Sequence, residues 1–83
     1  MKSQPILIEG EAYFSLETLA EIYAVEVHWL QEVYDHGLLG PGVTSGPHRC
    51  VASIQLDRVA TIVRLNRCLG LDVFEIRLEL DEV

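Results

Sequence analysis

Apolar residues return at helical spacing in four stretches of this chain. Leu16, Leu19, Ala20 and Tyr23 recur every three or four positions, as on one face of an α-helix. This predicts a helix over Leu16–Tyr23. Ser15 stands in front of it as an N-cap, because its hydroxyl can accept a free N–H of the first turn. Ala24-Val25-Glu26 is short enough to be the turn of a helix-turn-helix. A second helix over Val27–His36 puts Val27, Leu30 and Tyr34 on one face with Val33 flanking. His28, Glu32 and Asp35 fall on the opposite side, with Trp29 beside them. Gly37 follows, where a left-handed stop is wanted. Leu56, Val59, Ile62, Val63 and Leu69 mark a third buried stripe, capped by Ser53 and closed by Gly70. A last short helix begins at Leu71-Asp72, with Asp72 as its cap. Val73, Ile76 and Leu80 form one of its faces, and Phe74 and Leu78 form another.

Between these helices the pattern shortens. Ile6–Ile8 reads as a short edge strand after Pro5, and Glu9-Gly10-Glu11 as a turn. Tyr13 and Phe14 lead into the first helix. Leu38-Leu39 returns to the core, and Gly40-Pro41-Gly42 ends regular structure. Val43–Val51, broken at Ser45-Gly46-Pro47, reads as a small hairpin or wing. The expected fold is therefore mainly α: four short helices with a small β-hairpin wing. The 83 residues make a single domain, 1–83, able to hide roughly 60–65% of its extended surface. No apolar run is long enough to cross a bilayer, and the N-terminus lacks a secretory pattern. Two cysteines, Cys50 and Cys68, make no disulfide framework. The expected compartment is the cytoplasm.

Charge changes the picture most. Six basic residues stand against thirteen acidic ones, a formal net charge of -7. Specific DNA binders commonly neutralise about 6–10 phosphates with Lys and Arg. Here the basic side chains are too few, and they cannot all point one way. From Glu9 to Asp35 there are seven acids and no Lys or Arg.

One family resemblance runs through residues 13–80. Its motifs are Ser15-Leu16-x-x-Leu19-Ala20, the pair Val27-x-x-Leu30, and Gly37-Leu38-Leu39-Gly40-Pro41. Arg49 in the wing and Gly70-Leu71-Asp72-Val73-Phe74-Glu75-Ile76 complete it. In this order the chain resembles the winged helix-turn-helix of MerR-type regulators. It departs from them where DNA would be touched. Those regulators usually carry arginines and tyrosines along the second helix, whereas Glu26–Val33 here has no Lys or Arg. The long dimerisation helix of that family is also missing from the chain as it stands. Both departures, with Val63-Arg64-Leu65 and Leu69-Gly70-Leu71-Asp72, resemble a narrower group, the chaperone modulatory proteins of the CbpM type. That resemblance implies a non-catalytic modulator that binds and inhibits the J-domain of a DnaJ-like, CbpA-type co-chaperone. The alternative function is that of a MerR- or excisionase-like DNA-binding regulator.

The candidate partner-binding residues are Glu17, Glu21, His28, Trp29, Glu32 and Asp35. Trp29, off the apolar stripe, is either an interface anchor or packs on the N-terminal segment or the last helix. Each acid either meets a basic partner or lies on a solvated helix face. His28, one turn before Glu32, has a local charge pair as its simplest account. Arg49 matches a wing arginine that touches phosphate in DNA-binding relatives, and here pairing with a nearby acid is the favoured reading. Arg58, Arg64 and Arg67 spread around the third helix and balance acids within the molecule. His36, His48 and Cys50 lack the paired spacing of a zinc site, so no metal and no cofactor are expected. No nucleophile stands near a base and orienter, and no Gly-rich phosphate loop is present, so no catalysis is expected. The second apolar face of the last helix either lies exposed and supports homodimerisation through that end or is buried under the N-terminal strand.

Overall fold

The computed structural model describes residues 5–81. Four α-helices carry about half of the chain: α1 (Leu16–Tyr23), α2 (Val27–Asp35), α3 (Leu56–Leu69) and α4 (Val73–Asp81). Four strands complete it: β1 (Ile6–Ile8), β2 (Glu11–Ser15), β3 (Val43–Ser45) and β4 (His48–Ala52). They form one curled antiparallel sheet in the order β1-β2-β4-β3. The architecture is therefore α+β, and the expectation of a mainly α winged fold is overturned.

The cause is a pairing that no local pattern carries. The edge strand and the wing were expected as separate pieces. Instead β2 pairs with both β1 and β4, so Ile6 stands opposite Tyr13, and Tyr13 opposite Ala52. Two hairpins thereby fuse into one sheet. The first turns on Glu9 and Gly10, both at positive φ (51° and 84°). A two-residue turn with both φ values positive matches the right-handed twist of the strands it joins. The second turns on Gly46-Pro47 between Ser45 and its partner His48.

The helices follow the apolar spacing closely. Ser15 caps α1: its Oγ accepts from the Thr18 amide at 3.1 Å and donates to Thr18 Oγ1 at 3.0 Å. Ala24-Val25-Glu26 joins α1 to α2, so the helix-turn-helix pair is present within the larger fold. Gly37 and Gly70 both take the expected left-handed conformation after their helices. Two details differ at α3. Ser53 opens a short 3-10 turn, Ser53–Gln55, and α3 itself starts at Leu56 with no side-chain cap. Leu69, expected in the buried stripe, is 64% exposed at the last position of α3, where among the described residues nothing covers it.

The core joins all layers. Leu19 of α1, Leu30 and Val33 of α2, Val51 of β4, Val59 and Ile62 of α3, and Ile76 of α4 have no exposed surface. Each such side chain contributes about 1.5–3 kcal/mol relative to exposure. This shared cluster fixes how α1 and α2 present their outer faces. Among the described residues, no helix is long and apolar enough to cross a membrane.

Candidate partner-binding surface

Burial of one side of each helix leaves the acids on the other. Leu16, Leu19 and Ala20 turn α1 inward, so Glu17 and Glu21 are exposed. Leu30 and Val33 turn α2 inward, so His28, Glu32 and Asp35 are exposed. At ~100° per residue the last three share an arc of about 60°. Neither helix carries a Lys or Arg.

Two of the expected acids already hold a partner within the chain. Arg49 Nη1 donates to Asp35 Oδ1 at 2.8 Å, and its guanidinium lies 5.8 Å from the Tyr34 ring centroid. His48 Nδ1 lies 3.4 Å from Glu17 Oε1. The β3–β4 hairpin is thus tied to both helices by half-exposed pairs, each worth at most about 1 kcal/mol. The His48 pair contributes only when the imidazole is protonated. Arg49 therefore takes the reading in which it pairs with a nearby acid. The local pair expected between His28 and Glu32 does not form; the acids of α1 and α2 that pair are Glu17, with His48, and Asp35, with Arg49. Glu21, His28 and Glu32 keep their outward faces open.

Trp29 occupies a position between its two expected ones. It is half-buried and packs on the edge of the core. It lines an open cleft of about 350 Å³ with Ala24, Val25 and Glu26 of the turn and Asn66 and Arg67 of α3. Arg67 closes one wall, its Nη2 donating to the carbonyls of Tyr23 and Ala24 at 2.7 Å each. Those carbonyls end α1, where the helix dipole is negative and a cation is favoured. Asn66 Nδ2 is held by the Leu71 carbonyl at 2.9 Å. Glu26 and Arg67 were missed as site residues, because the cleft depends on a contact spanning more than forty positions of sequence.

Arg58 of α3 also serves backbone. Arg58 Nε donates to the Leu38 carbonyl at 2.6 Å. Arg58 and Arg67 thus balance carbonyl groups, not the acidic side chains expected.

The remaining chemistry is dispersed. Cys50 is fully buried, and burial pushes its thiol pKa up. The charge of Glu17 adds to that rise, while a backbone hydrogen bond from Ser45 opposes it. Cys68 is exposed. His36 meets Phe74 edge-on at 5.0 Å, far from the role of a ligand beside His48. No group of three or more His, Cys, Asp or Glu among the described residues could hold a metal ion.

Comparison with protein-family models, with curated proteins and with solved structures finds no match for this chain. What the fold and the surface define is a small α+β domain with an acidic helix pair and an adjoining aromatic cleft.

Proposed function

We propose that the chain is a non-catalytic binding module that docks a basic protein surface through α1 and α2. We take its partner to be the J-domain of a DnaJ-like, CbpA-type co-chaperone, as the family resemblance implies. J-domains carry a basic helix through which they engage an Hsp70. An acidic surface covering that helix would compete with the Hsp70 and inhibit the co-chaperone.

The observation that carries this reading is the outer face of the helix pair. It exposes Glu21, His28 and Glu32 and contains no Lys or Arg. Such a face speeds encounter with a cation-rich protein and raises its local concentration. It opposes DNA. An acid about 7 Å from a phosphate in water is disfavoured by roughly 0.6 kcal/mol. The five acids from Glu17 to Asp35 would together cost about 3 kcal/mol before screening. Pairing within the chain discounts two of them, which leaves the sign unchanged.

Calorimetric titration of the protein with an isolated J-domain at low salt tests the proposal. Saturable binding that weakens as salt is raised is the expected result. No heat and no NMR shift at low salt would sink it. Duplex DNA in the same buffer is expected to give no complex, and a DNA complex of equal affinity would restore the regulator alternative.

A further inference from the structure

The Trp29 cleft has a built wall, an apolar floor and an acidic rim. The wall is Arg67, whose guanidinium is committed to the Tyr23 and Ala24 carbonyls at 2.7 Å. Its position is set before any ligand arrives. The floor is the Trp29 indole with Val25, both half-buried and both packed on the core. Glu26, Trp29 and Glu32 follow one another at three-residue intervals. Residues so spaced are neighbours along one side of a helix. The indole is thus bracketed by an exposed acid about one turn away on either side.

We infer that this cleft is the anchor site for one apolar side chain on a basic amphipathic helix of a protein partner, whose lysines and arginines lie over Glu26 and Glu32. The inference rests on the partner-binding reading above and names the point of contact. An apolar group is favoured inside, because the floor is apolar and a cation there would meet the Arg67 guanidinium. Cations are favoured at the rim, where Glu26 lines the cleft and Glu32 stands exposed about one turn along α2 from Trp29. Lysines and arginines at i and i+3 or i+4 of a partner helix share one face in the same way. An aromatic-lined pocket ringed by polar groups is the usual form of an interface hot spot.

Trp29 is the single tryptophan of the chain, so its emission reports on the cleft alone when the added J-domain lacks tryptophan. The experiment is a titration of the intact protein with such a J-domain, followed in parallel by calorimetry and by Trp29 emission. The expected result is a blue-shifted or quenched emission that saturates at the calorimetric midpoint. Glu26→Lys is expected to weaken binding at least tenfold. This residue is exposed and makes no side-chain cap bond, and circular dichroism checks its folding. Glu79→Lys, a charge-matched reversal on α4, is expected to change affinity less than threefold. Heat of binding with unchanged Trp29 emission would overturn the cleft while leaving the acidic helix pair as the docking face. Equal weakening by both reversals would also overturn it, reducing the effect to long-range charge. Absence of binding at low salt would overturn both the cleft and the reading it rests on.

Discussion

At Gly42 the backbone has no space for a side chain. Its φ is 44°, and an added Cβ would press on the Tyr34 hydroxyl and come within 2.7 Å of the Cys50 carbonyl. The Tyr34 ring can swing away; the Cys50 carbonyl belongs to β4 and cannot. Gly42→Ala should therefore destabilise the domain by about 2 kcal/mol, combining a left-handed backbone with overpacking. Urea denaturation measures it, and a change below a few tenths of a kcal/mol would refute the close approach. Gly42 was legible only as part of Gly40-Pro41-Gly42, a place where regular structure ends. Its close neighbours are eight positions away on either side, on α2 and β4. Trp29 was likewise legible as unusual, yet its surroundings were not, because Arg67 reaches it from the far end of α3.

The helices show local rules at work. α4 opens with a reciprocal cap: the Glu75 amide donates to Asp72 Oδ1 and the Asp72 amide to Glu75 Oε1, each at 2.9 Å. Asp72 was readable as a cap from its place before an apolar run, and Glu75 supplies the return bond three residues on. Asp72→Ala should cost about 1 kcal/mol and speed hydrogen exchange at the Glu75 amide more than at the α3 core. Equal exchange in both proteins would remove the cap's role. Strands obeyed no comparable local rule. Glu11-Ala12-Tyr13-Phe14-Ser15 shows no clean alternation, since Ala12, Tyr13 and Phe14 are all half-buried. Its identity as a central strand comes from partners on both sides, one of them β4.

For the whole molecule, the excess of acids and the placement of apolar surface set the terms of association. Phe74 and Leu78 remain exposed on α4, at 61% and 71%, which decides for the exposed reading of the second apolar face. Two side chains cover far less than the ~800 Å² per partner of a stable interface. Homodimerisation through this face is accordingly expected to be weak and concentration-dependent. Sedimentation velocity over a wide range of concentration tests it: a rise in mass abolished by Phe74→Glu supports the dimer, and a strict monomer at the highest concentration excludes it. Like-charge repulsion between copies carrying a net charge of -7 should make any such dimer favour high salt. Docking of a basic partner should favour low salt. The two associations can thus be told apart by the sign of their salt dependence.

The sequence alone determined the helices, the Ser15 and Asp72 caps and the acidity of the outer faces of α1 and α2. Those properties depend on residues three or four positions apart, which apolar periodicity and capping chemistry report directly. Tertiary structure decided the fold class, because β2 finds β4 across the α1–α2 pair and joins two hairpins into a single sheet. It also decided which acids are open. Glu17 and Asp35 face His48 and Arg49 on the β3–β4 hairpin, while Glu21, His28 and Glu32 face outward and Glu26 joins Trp29 at a cleft walled by Arg67. Contacts of that range follow from how the core closes, and neighbouring residues along the chain carry no record of them.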